Sequence, residues 1–309
     1  MLAIYLNILT RLDKMQAMRF CKLVTAILAT FLIACYASAA KVCDEFYARL
    51  PNVSRTLCDT AQLQASTGRS VKGRPIYVRD IQPKPNQRRV LVIGGIHGDE
   101  LSASSVALHW IRLAQATPAQ THWRFVPALN PDGLFDRPAR RVNANGVDLN
   151  RNFPTPNWER EATFYWEVRA RKDPRRWPGK RPLSEPETQF LHDEMQRFKP
   201  DLIVSIHAPY GVLDFDGPVE PPQRLGRLRL VPVGVFPGSL GNYSGVFKNV
   251  PVVTIELPSA TLTPRDVEIE RMWLDLHRWM GETLVQTTAA AQGRPKQVTP
   301  PRGAESHTQ

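Results

Sequence analysis

Three apolar runs in this chain each end on a residue of metal or proton chemistry, and that pattern limits the fold more than any other feature. Val90-Leu91-Val92-Ile93-Gly94-Gly95-Ile96 leads into His97-Gly98-Asp99-Glu100, Leu202-Ile203-Val204-Ser205-Ile206 is closed by His207, and Val250 to Ile255 ends in Glu256. Continuous apolar runs of this length read as strands buried on both faces, the kind found in parallel sheets. In open α/β sheets ligands gather outside the carboxyl ends of the strands. His97, Glu100 and His207 therefore supply two imidazoles and one carboxylate at strand ends, a set suited to a catalytic zinc that keeps a fourth position for water. A zinc so held lowers the pKa of a bound water to roughly 7. A carboxylate is still needed to take the proton, and Glu256 is the candidate because it alone among the downstream acids ends an apolar run.

The remaining elements alternate between strand and helix patterns. A hairpin is expected around Gly73 over 71–78, a strand over 89–96, a helix from Ser102 to about Ala114 and a strand over Trp123–Leu129. His109 is read as packed or surface-facing within its helix. Ser184-Glu185-Pro186-Glu187 opens a helix running to about Phe198, with Ser184 and Glu187 spaced as a capping box, so both glutamates are given structural roles. A last helix, opened by Thr263-Pro264, carries Ile269, Met272, Trp273, Leu276, Trp279 and Met280 at core spacing, with His277 off that stripe and expected in solvent. Residues 155–183 are irregular, rich in Trp, Arg and Pro, and expected to wall the site. The pattern predicts one α/β domain, a three-layer α/β/α arrangement around a mixed, largely parallel twisted sheet.

Composition bounds the rest. A chain of 309 residues with 42% hydrophobic content can bury one substantial core. Its net charge of +11 reads first as solvated surface and second as attraction to a polyanion, while no nucleic-acid module is present. Residues 1–40 read as a targeting leader: Met18-Arg19-Phe20-Cys21-Lys22, an apolar stretch from Leu23 to Ile33, then Ala37-Ser38-Ala39. Cleavage after Ala39 would send the protein to the periplasm or outside the cell. Two alternatives stay open: lipidation of Cys35 in Leu32-Ile33-Ala34-Cys35, and retention of the leader as a membrane anchor. Cys43 and Cys58 are the remaining pair and are expected to form one disulfide, as export permits. The catalytic domain is expected over 41–288, followed by a disordered tail over 289–309.

One further segment, Arg141 to Phe153, carries a resemblance when read with Asn130-Pro131-Asp132-Gly133, Ser184 to Thr188 and the three strand ends. In these motifs and their order, over roughly residues 71–285, the chain resembles the zinc carboxypeptidase (carboxypeptidase A-like) family, and within it the branch that cleaves murein peptides. The resemblance implies one zinc ion held by His97, Glu100 and His207, with Glu256 as general base. It implies that Asp148 orients the first zinc histidine, that Asn150 and Arg151 clamp a substrate's terminal carboxylate, and that Arg141 (Arg140 stands beside it) stabilises the oxyanion. It also implies a peptide or murein-peptide substrate and cleavage of the γ-D-glutamyl–meso-diaminopimelate amide. A general C-terminal carboxypeptidase on L-peptides, an N-acyl amino acid deacylase of aspartoacylase type and an inactive wall-binding module remain the alternatives. Two departures bear on substrate: the specificity tyrosine of pancreatic-type enzymes has no secure counterpart in Gly238 to Tyr243, and Ala208-Pro209 follows the third ligand where an acid is expected.

Overall fold

The computed structural model describes residues 42–82, 88–117 and 121–284; the expected leader and tail lie outside the described residues. The apolar runs become neighbouring parallel strands. Strand β3 (Arg88–Ile93) lies between β4 (Thr121–Val126) and β5 (Leu202–His207), and β9 (Val252–Glu256) follows β5. Antiparallel strands extend both sides: β2 (Pro75–Ile81) and β1 (Gln64–Arg69) beyond β4, and β6 (Val212–Asp216) beyond β9. The order is β1-β2-β4-β3-β5-β9-β6; a separate hairpin joins β7 (Arg224–Leu225) to β8 (Leu228–Arg229), and a short helix, α4 (Pro131–Phe135), follows β4.

Side chains on these strands alternate between two cores, because successive Cβ atoms point to opposite faces. Val90, Val92, Val204, Ile206, Val253 and Ile255 join the first core. It also holds Phe46 of a helix over 42–49 (α1), Cys58 of α2 (Arg55–Ala61), Trp110 of α3 (Leu101–Ala116) and Trp273 of α7 (Asp266–Trp279). Leu91, Ile93, Ile203 and Val252 join the second, with Phe153, Leu240 and residues of α6 (Pro186–Phe198). Burial of each large apolar side chain contributes roughly 1.5–3 kcal/mol, so coverage of both faces is what keeps the central strands apolar. This is the expected three-layer sheet.

Several local expectations are corrected. Strand β3 stops at Ile93 instead of residue 96, because Gly95 turns the chain at φ +60°, a conformation cheap only for glycine. The hairpin forms from β1 and β2, with Val71 and Lys72 in its turn, where their N–H groups donate to Glu187 Oε1 and Asp132 Oδ2. That use of Glu187, and its second oxygen's bond from Asn143 Nδ2, displaces the capping box: Glu185 is the N-cap of α6 and Ser184 Oγ donates to Glu185 Oε1. Both glutamates remain structural, binding the loop at Asn143 and Asn145. Part of the 155–183 segment is helical, as α5 (Trp158–Phe164) continued by a π-helical turn over Tyr165–Arg169. His277 is not in solvent; it packs against Trp123 and Trp273, and burial lowers its pKa.

Cys43 and Cys58 form a disulfide joining α1 to α2 across a sequence separation of 15. Cross-linking a loop of that size stabilises by about 3 kcal/mol in the chain-entropy model. Reduction is therefore expected to lower Tm by roughly 6–12 °C for a domain of this size, measured by calorimetry with and without reductant.

Candidate metal centre and substrate cavity

Chain order places the site. From β3 the chain crosses to β4 on one side, while β5 pairs on the other. The crevice at that reversal is where ligands settle in open α/β sheets. The turn after β3 carries His97 and Glu100 on one side of it, and His207 closes β5 on the other. Gly98 lets this turn sit directly on the backbone of Gly133, which a Cβ would strike. Glu100 is the N-cap of α3 but makes no side-chain cap bond, so its carboxylate is free to face the histidines.

The three side chains meet. His97 Nδ1 lies 2.7 Å from Glu100 Oε1, and His207 Nδ1 lies 3.0 Å from Glu100 Oε2 and 3.2 Å from His97 Nδ1. All three are buried, and their ligand atoms lie within 4.8 Å of one another. The opposite ring nitrogens are held from outside: His97 Nε2 is 3.1 Å from Asp148 Oδ1, and His207 Nε2 is 2.9 Å from Ser205 Oγ. Such outer contacts set the tautomer and orientation of metal-binding imidazoles. Two inward Nδ1 atoms and a carboxylate on buried side chains fit a zinc ion.

Asp148 organises the next layer. Its Oδ1 also accepts from Asn150 N, its Oδ2 accepts from Arg141 Nε and Nη2 at 3.2 and 3.0 Å, and its own N–H donates to Trp177 O. Burial would raise its pKa, but Arg141 and His97 outweigh that and hold it well below the usual carboxylate range. Burial would likewise raise Glu100, and the two histidines pull it down. For His97, burial and the Arg141 charge work against protonation, yet Glu100 and Asp148 prevail and its pKa is raised. The carboxylates of Glu100 and Asp148 thus face the two imidazoles, with the guanidinium of Arg141 beside both.

Arg141 points into the site, with Nη1 3.5 Å from Glu100 Oε1, whereas Arg140 turns away to Asp136 at 2.6 Å. Glu256 pairs in register with His207. Its Oε2 is buried without a hydrogen-bond partner, and burial raises its pKa against the pull of His207. Asn150 Oδ1 accepts from Leu240 N, while Arg151 is buried, its Nη1 donating to Asn150 O and its guanidinium 4.5 Å from the Phe236 ring. Among the described residues Arg151 Nε has no hydrogen-bond partner.

His97, Glu100, His207, Arg141, Asn150, Arg151 and Glu256 line one cavity of about 90 Å³. It also takes in Arg176, Asp214, Asp216 and Thr254, none of which the sequence singled out. Arg176 arrives from the 155–183 segment, which does wall the site. Ser205 was hidden inside an apolar run. Its removal as Ser205→Ala is expected to weaken zinc binding about 10- to 100-fold, as loss of an orienting partner does, measured by competition with a chromogenic chelator at unchanged circular dichroism.

Comparison with known proteins agrees with this geometry. A family model described as zinc carboxypeptidase matches residues 58–215. Murein peptide amidase A of Escherichia coli (strain K12) is 33% identical over 219 residues, covering 69% of this chain and 88% of that protein. Murein peptide amidase A of Vibrio campbellii (strain ATCC BAA-1116) is 32% identical over 207 residues, covering 64% and 81%. The carboxypeptidase A structure from Helicoverpa armigera shares the fold, with a TM-score of 0.56 at 17% identity over 72% of this chain and 70% of that one. On the family match, the identity and the buried His-Glu-His cluster together, the chain belongs to the zinc carboxypeptidase family and is a hydrolase.

Proposed function

We propose that this protein is an exported zinc metallopeptidase that hydrolyses peptidoglycan peptides at the amide joining γ-D-glutamate to a terminal meso-diaminopimelate. His97, Glu100 and His207 hold the ion. When bound, zinc supplies Lewis acidity, polarising a carbonyl and acidifying water near neutrality. Glu256 Oε2 takes the proton of the attacking water and passes it to the leaving amine. Its unpartnered oxygen, beside the cluster and raised by burial, is the observation that carries this reading. Arg141, fixed through Nε and Nη2 by Asp148, presents Nη1 to the developing oxyanion. Such a donor is worth about 3–4 kcal/mol to a tetrahedral state. Asn150 and Arg151 hold the terminal carboxylate, for which a guanidinium offers paired, charge-assisted bonds.

The substrate assignment draws on the two murein peptide amidases, each more than 80% covered by this chain. The Cys43–Cys58 bond supports export, since disulfides persist in oxidising compartments. The test is hydrolysis of murein tripeptide by purified protein, with and without chelator. Release of diaminopimelate that stops on metal removal and returns with zinc is expected. Cleavage of L-peptides or N-acetyl amino acids in its place, or activity indifferent to chelator, contradicts the proposal.

A further inference from the structure

Among the described residues, Asp214 and Asp216 of the substrate cavity form no ion pair with the Arg151 and Arg176 that also line it. Strand β6 pairs with β9 so that Asp214 lies opposite Thr254 and Asp216 opposite Val252. Since Leu213 belongs to the first core, the period of two turns Asp214 and Asp216 to the face of Thr254 and Glu256. Behind Asp216 the wall is bare backbone: a Cβ at Gly241 would fall on its Oδ2, and one at Gly245 against its main chain. That wall supplies no cation. The charge felt by Asp216 is that of Asp214, which accepts only from main-chain N–H groups, and burial with this repulsion pushes Asp216 up to about 6. Among the described residues neither aspartate has a cationic partner.

The same cavity is lined by Arg151 and Arg176. Arg151 is 6% exposed, Glu256 is 7% exposed, and each leaves one polar atom in this cavity without a partner. Arg176 comes in from the rim, its Nε 3.6 Å from Asp173 Oδ2. Buried charges without an opposite partner are costly; Asp214 and Arg151 are buried, Arg176 is a half-exposed cation already paired with Asp173, and a ligand carrying both signs would meet the two sets together.

We infer that Asp216, with Asp214 beside it, receives an ammonium on the side chain of the released residue, and that Arg176 receives a carboxylate on that same side chain. The class of released residue is a diaminodicarboxylate, its own terminal carboxylate going to the deeper Arg151. This rests on the proposed function for the bond that is cut, and it names the residues that read what lies beyond that bond.

The test uses the zinc-loaded full chain and γ-D-glutamyl amides of diaminopimelate, lysine, 2-aminopimelate and norleucine, which carry both side-chain groups, the amine, the carboxylate or neither. Diaminopimelate is expected to be preferred. Asp216→Asn is expected to cut the kcat/KM ratio of diaminopimelate to 2-aminopimelate by about 30-fold or more, the loss typical of a truncated buried charge pair. Arg176→Gln is expected to cut the ratio of diaminopimelate to lysine and to spare the other ratio. Variants that lower all four substrates equally, or a wild type indifferent to the side chain, overturn the inference. The same four residues on L-alanyl amides separate the two claims: if only that series is cleaved and the ratios still shift, the bond assignment falls and the subsite stands. Calorimetry of free diaminopimelate on Glu256→Gln protein removes turnover from the question. Equal binding after Asp216→Asn is added refutes the subsite.

Discussion

Replacing Glu256 with Gln is expected to lower kcat by roughly 10²- to 10⁴-fold, the range for loss of a positioned general base, while zinc stays bound. The amide keeps the volume and one oxygen but cannot accept a proton. Glu256 lies at the end of β9 in register with His207, yet makes no bond to the three clustered ligands, so the metal should be indifferent to the change. Steady-state kinetics and metal analysis on one preparation check both halves. A variant that keeps full activity excludes Glu256 as the base.

Asp148→Ala is expected to damage stability and metal binding together. Asp148 is fully buried and accepts from Arg141, His97 and Asn150. Its removal strands the Arg141 charge, and breaking a buried pair from one side costs about 3–5 kcal/mol. The lost contact to His97 Nε2 should weaken zinc binding about 10- to 100-fold. Urea denaturation and chelator competition measure the two effects. In Arg141→Met with Asp148→Asn, where neither charge is left alone, most of the stability should return; a double variant as unstable as Asp148→Ala contradicts the account.

Much of this was legible in the sequence because the chemistry sits where buried strands end, and buried strands announce themselves by composition. His97, His207 and Glu256 each follow such a run. The stripe on α7 and the turn after it was equally plain, since Ile269, Met272, Trp273, Leu276, Trp279 and Met280 all reach the core. What escaped notice was set by partners distant in sequence. Strand β1, Gln64-Ala65-Ser66-Thr67-Gly68-Arg69, is a sheet edge with a mostly exposed pattern and no apolar alternation. Strand β6 hides its role behind two aspartates that face a cavity instead of solvent. The Ser184–Glu187 capping pattern lost to Val71 N and Asn143, which bind the same carboxylate from other segments. His277 falls off the helix stripe, but Trp123 of β4 reaches it. Arg176 lies 25 residues beyond Arg151 in a segment crowded with basic residues, so nothing local marked it.

The central claim is that one divalent ion sits among His97, Glu100 and His207. Zinc titration of the metal-stripped full chain, beside His97→Ala and His207→Ala, tests it most directly. The account predicts one equivalent bound by the wild type, recovered hydrolysis on loading, and loss of both in each variant. One equivalent held with undiminished affinity by both variants, or full hydrolysis by the stripped protein, would contradict it.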